Sequence, residues 1–103
     1  MMTEQQINEF KPAEVSVVFE EEQNRSAAYV DNRLIGECEF SVSDAVWTIF
    51  HTGVRPAFEG KGIAKKLLLK VIEKAREKKV KIVPQCSYAE KVMKKTAEYQ
   101  DVL

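Results

Sequence analysis

Val54–Ala64, V-R-P-A-F-E-G-K-G-I-A, joins two stretches of different texture. Ahead of it, Ala45–Val54 (A-V-W-T-I-F-H-T-G-V) is apolar at odd and even positions alike. Such a run suits a central strand covered on both faces, with Gly53 a candidate bulge or close-approach point. Behind it, Ile63, Leu67, Val71 and Ala75 recur every fourth residue, with Ala64, Leu68 and Ile72 beside them and Lys65, Lys66, Lys70, Glu73 and Lys74 between. That is the period of an amphipathic helix, expected over Gly60–Lys78. Pro56 cannot extend a strand ladder, and Gly60 and Gly62 open the turn. The segment is therefore a strand-to-helix connection.

A connection of this kind can hold an anion. The first N–H groups of a helix lack intrahelical partners, and the peptide dipoles add about half a positive charge there. Glycines let the backbone approach a phosphate closely, and Lys61 adds a cation between them. Glycine also serves tight turns that bind nothing, so spacing alone leaves both readings open. A Walker-type loop is excluded, because it needs four residues between its glycines and a following Lys-Ser/Thr. The dinucleotide fingerprint lacks its third glycine and the acidic residue further on.

The run V-R-P-A-F-E-G-K-G-I-A followed by K-K-L-L resembles the acyl-CoA-binding motif of the GNAT superfamily of N-acetyltransferases. In that family Arg or Gln, two residues, Gly, one residue and Gly or Ala close a loop around the pyrophosphate of coenzyme A. The pattern falls here on Glu59, Gly60, Lys61, Gly62, Ile63 and Ala64, with Val54 at the end of the preceding strand. Glu59 departs from the usual Arg or Gln. The resemblance implies acetyl-CoA as cofactor, bound by these residues. It also implies a strand that splays from its neighbour after the helix, leaving a gap for the pantetheine arm.

With 103 residues and 45% apolar composition the chain supports one domain around one core. Residues 1–13 are polar and read as a flexible tail, leaving 14–103 as the GNAT-like domain. Val15, Val17 and Phe19 alternate as a first strand, followed by an acidic turn at Glu20–Glu22. Ser26–Val30 reads as a second strand. Asp31-Asn32 suits a hairpin turn, after which Leu34, Gly36, Cys38, Phe40 and Val42 alternate along a third. Val80–Val83 gives a short strand returning beside Ala45–Val54, and Tyr88–Tyr99 a last helix, with Ser87 and Glu90 as a capping box. The fold class is α/β (α+β): a mixed, mostly antiparallel sheet with a long helix after the central strand and a C-terminal helix, a truncated GNAT-like fold.

Sixteen basic residues balance sixteen acidic ones, which argues against a nucleic-acid partner. No apolar run approaches the roughly 18 residues of a membrane span, and the N-terminus lacks signal-peptide features, so a cytoplasmic protein is expected. Cys38 and Cys86 are too few for a disulfide framework and lack metal-ligand spacing; no metal site is assigned. Cys38 reads as a small core residue.

Amine acetylation needs a base to deprotonate the amine. His51, the single histidine, lies three residues before Val54 and reads either as that base or as a hydrogen-bonded strand residue. Cys86 starts the last helix, where free N–H groups and the dipole favour a thiolate that can accept an acetyl group; a structural cysteine is the other reading. If the strands splay as in the family, His51 and Cys86 face one gap. The tail also resembles the family's final motif, with Cys86 at its Asn, Ala89 at its Ala, Val92 at its apolar position and Met93 where a tyrosine protonates coenzyme A. Tyr88 is the nearest phenol. Phe19 to Ser26 leaves no room for the two helices that wall the family's amine site. The sequence thus points to an N-acetyltransferase acting on an unidentified amine, a protein or peptide among the candidates, as a monomer or weak dimer. The alternative is a non-catalytic acetyl-CoA-binding sensor or partner-binding module.

Overall fold

The computed structural model describes residues 14–103. The expected N-terminal tail lies outside them. The elements follow as β1 (Ser16–Glu20), β2 (Arg25–Val30), β3 (Arg33–Ser43), β4 (Val46–Val54), α1 (Ile63–Lys78), β5 (Lys81–Pro84) and α2 (Ser87–Lys95). Short 3-10 turns occupy Glu21–Gln23, Pro56–Phe58 and Ala97–Val102. The strands form one sheet in the order β1-β2-β3-β4-β5, antiparallel except for the parallel pair β4–β5. Asp31 (φ 49°) and Asn32 (φ 64°) both take the left-handed backbone that a two-residue hairpin loop requires.

The apolar stripe of α1 packs on one face of the sheet. Leu67, Leu68 and Val71 are fully buried there, against Ile35, Cys38, Phe40 and Ile49. Trp47 stacks on Phe40 at 4.3 Å between ring centroids, and Phe19 lies 5.8 Å from Trp47. Buried Ser26 donates its hydroxyl to the Leu67 carbonyl at 2.7 Å, tying β2 to the N-terminal part of α1. A small polar side chain thus fits beneath the helix because a helical carbonyl satisfies it.

Three expectations are corrected. β4 is central by pairing but, among the described residues, is covered on one face only, since Phe50 remains 49% exposed and Val83, paired with Thr48 from β5, 48%. Among the described residues, the connection after β1 is a three-residue 3-10 turn that supplies no helix to cover that face. Helix α1 begins at Ile63 and not at Gly60, because Gly60 and Gly62 take left-handed φ values of 76° and 77°. The last helix ends at Lys95, and the chain finishes as a 3-10 turn that buries Tyr99 and Val102.

A register shift sits where β3 meets β4. Phe40 pairs with Ile49 but Glu39 pairs with His51, which leaves Phe50 as the extra residue of a β-bulge. Before the bulge, Trp47 and Ile49 point toward α1. After it the parity reverses, so that Thr52 and Val54, opposite Cys38 and Gly36, share the inner face. His51, opposite Glu39, moves to the outer one.

Candidate functional site

The glycine loop is held from both ends. Phe58, in the 3-10 turn, packs against the core, and the Glu59 N–H donates to the Pro56 carbonyl at 3.3 Å. Downstream, Ile63 is buried. A methyl group built on Gly60 or Gly62 meets nothing within 4 Å, so backbone handedness requires these glycines and the space above them is open. Gly62, the N-cap residue of α1, has no side chain with which to cap it. The Lys66 N–H donates to the Gly62 carbonyl at 3.2 Å, and the amides ahead of it have no intrahelical acceptor.

Strand β4 parts from β5 beside this loop. Their pairing runs from Val46–Lys81 to Ile49–Pro84 and stops. The Gln85 and Cys86 N–H groups both donate to the Ile49 carbonyl, each at 2.9 Å, and the chain then turns into α2. Among the described residues, Phe50–Val54 therefore has no strand on that side. The unpaired edge leads from Cys86 toward the glycine loop.

Cys86 is the N-cap of α2, with the Ala89 N–H donating to Sγ at 3.3 Å. This corrects the capping box expected from Ser87 and Glu90. Anchoring of both preceding amides on Ile49 holds Cys86 extended, so Ser87 is already the first helical residue. Thr52 Oγ1 lies 3.4 Å from Cys86 Sγ and donates to Cys38 Sγ at 3.5 Å, bridging the two sulfurs. Burial pushes the Cys38 thiol up to about 12, so it stays protonated at neutral pH. The Tyr88 phenol is also raised, chiefly by burial.

His51 is not brought to Cys86. The bulge sends it to the outer face, where Nε2 lies 4.0 Å from Glu37 Oε1 with Glu39 directly across the ladder. Glu59 is exposed, and Met93 is fully buried where the motif's tyrosine was sought. Thr52, Glu37 and Glu39 escaped sequence reasoning. The alternation of β3 placed both glutamates outward, but only the shifted register joins them to His51 and Thr52 to the cysteines.

Residues 25–102 match the family model described as GCN5-related N-acetyl-transferase. A GCN5-like candidate N-acetyltransferase from Staphylococcus aureus, solved in solution by NMR, superposes with a TM-score of 0.69 at 33% identity, over 87% of this chain and 88% of that one. A GCN5-related N-acetyltransferase from Sphaerobacter thermophilus gives 0.53 at 25% identity, over 56% of this chain and 19% of that one. The PaiA N-acetyltransferase from Thermoplasma acidophilum, solved in complex with coenzyme A, gives 0.55 at 22% identity and shares the fold over 69% of this chain and 48% of its own. A comparison with curated proteins found no match. Among the described residues no helix is long and apolar enough to cross a membrane.

Proposed function

Because this chain belongs to the GCN5-related N-acetyltransferase family, we propose that it binds acetyl-CoA as acyl donor and passes the acetyl group to an amine through Cys86. One observation carries the proposal. The helix-start amides of Gly62, Ile63 and Ala64 follow in the chain from the β4 edge that, among the described residues, has no strand partner, and that edge begins beside the Cys86 thiol.

Gly60, Gly62, Ile63 and Ala64 offer backbone N–H groups to the diphosphate, in the field of the α1 N-terminus. Lys61 is the cation of the loop, and Glu59 is exposed beside it. Along Phe50–Val54, free backbone groups pair with the amide-bearing arm as a missing strand would. Acetyl-CoA supplies an activated thioester there. Cys86 Sγ gives up its thiol proton and bonds to the acyl carbon, the bond from that carbon to the coenzyme A sulfur breaks, and the departing thiolate takes up the proton that Cys86 released. One thioester replaces another, so the step is nearly thermoneutral. An amine then attacks the Cys86 thioester and leaves as the amide, restoring the thiol. His51, across the sheet, takes no part in these steps. The acceptor brings its own surface, as a protein or peptide does, because Glu21–Gln23 stands where the family's acceptor helices would be.

A second reading rests on Met93, which is fully buried at the motif's tyrosine position. Without a phenol there, a non-catalytic acetyl-CoA-binding module fits equally well. Intact mass after incubation with acetyl-CoA separates the two. One acetyl adduct, absent in Cys86→Ala, supports transfer through Cys86. Saturable binding with neither adduct nor turnover supports the binding module, and absence of binding overturns both.

A further inference from the structure

On the open face of the sheet, away from the cysteines, β3 and β4 bring together two carboxylates and the chain's one imidazole. We propose that Glu37, Glu39 and His51 form a binding site for one divalent transition-metal ion. Their donor atoms all lie within 4.8 Å of one another. Two donors about 2.1 Å from one ion sit about 3.4 Å apart at a tetrahedral angle, so flexible glutamate ends need draw in by little more than roughly an ångström. His51 Nε2 and Glu37 Oε1, at 4.0 Å, are already near that spacing.

The backbone builds this arrangement. Only the bulge at Phe50 sends His51 to the outer face, directly opposite Glu39. Gly53 then lies beneath the imidazole: a Cβ there would sit 2.9 Å from Nε2 and 3.0 Å from Cε1. The φ of Gly53 is not in the left-handed region, so its backbone conformation does not demand glycine. Glycine inside a strand is ordinarily a cost. At this position it leaves the ring room to fold along β4 toward Glu37. Arg25, the cation across from Glu39 on β2, is bound to Glu20 at 2.6 Å and does not neutralise the trio.

The donor set selects the ion. Two carboxylates balance a double positive charge, an imidazole nitrogen disfavours calcium and magnesium, and no thiolate is present to draw Cu(I). Zn²⁺ is the favoured occupant among the abundant ions. Three protein donors leave a coordination position for water. Glu37 and His51 also line a shallow pocket of about 310 Å³ together with Gly36 and Arg55. The site is independent of acetyl transfer, and its test reads binding alone.

The full chain is freed of metal with a chelator and titrated calorimetrically with Zn²⁺ and, separately, Mg²⁺. One Zn²⁺ per chain is expected, with no Mg²⁺ heat. His51→Gln, Glu37→Gln and Glu39→Gln, each confirmed folded by circular dichroism, should weaken Zn²⁺ at least about tenfold. Gly53→Ala should weaken it as well, while Cys86→Ala leaves it unchanged. Co²⁺ substituted into the site should lack the sulfur-to-cobalt charge-transfer band of a thiolate complex. The proposal is overturned if Zn²⁺ gives no heat, if Cys86→Ala abolishes binding, or if the glutamate variants bind as tightly as the parent chain.

Discussion

Gly62 holds φ at 77° with nothing above it, so any L side chain there is strained and also enters open space where an anion would sit. Gly62→Asp should cost about 1–2 kcal/mol of stability through the backbone. It should also abolish acetyl-CoA binding, because a carboxylate then stands at the helix N-terminus. Calorimetric titration checks the affinity and a urea melt the stability; retained affinity would remove the glycine loop from the binding site. Glu20 governs a second, separate behaviour. Its carboxylate accepts the Tyr29 hydroxyl and Arg25 Nε, both at 2.6 Å, and these bonds, Tyr29 foremost, hold it below its ordinary value. A carboxyl lowered by folding adds stability that is complete above its unfolded value and disappears as pH falls through the folded one. Urea midpoints between neutral pH and about pH 3 should therefore fall less steeply for Glu20→Gln than for the parent chain.

The long helix α1 is at once the core and the support of the loop. Leu67 is fully buried just past its first turn, and its carbonyl receives the Ser26 hydroxyl. Leu67→Ala should cost about 2–5 kcal/mol, the range for a buried leucine whose cavity collapses only in part. Denaturant unfolding measures the loss, and a change under about 1 kcal/mol would mean that α1 is packed far more loosely than its burial indicates. The same variant, where still folded, should also weaken acetyl-CoA binding, because Leu67 lies about one turn from the loop amides at the start of the helix. Most of this was legible from sequence. The stripe from Ile63 to Ala75 repeats with the helical period, and the two glycines mark where it begins. The start was misplaced by three residues because helical periodicity does not register the handedness of a glycine backbone.

For the molecule as a whole, one sheet with one open face divides the labour. Helices and cysteines occupy the inner side; Phe50, Val83 and His51 lie on the outer side or the exposed bulge. Acetyl-CoA added to isotope-labelled protein should shift backbone NMR signals in 50–54, 59–64 and 85–88, and leave β1 and β2 unchanged. Shifts centred on β1 would place the ligand elsewhere and remove the basis for a role of Cys86. A domain of this size was legible from length and composition, and the order of its elements from the alternation of textures along the chain. The open face was not, because an apolar run such as Ala45–Val54 says that a strand is central without saying what packs against it.

By itself the sequence determined whatever depends on neighbours along the chain: the helical stripe, the glycine turn, the Asp31-Asn32 hairpin and a single small domain. Tertiary structure alone decided which side chains meet. A bulge is a mismatch between two strands, and no periodicity within either one reveals it. Its consequence is large, because a shift of one residue reverses every later side chain and sends His51 to the glutamates and Thr52 to the cysteines. The cap at Cys86 likewise depends on the Ile49 carbonyl, which is distant in the chain and adjacent only once β5 has docked.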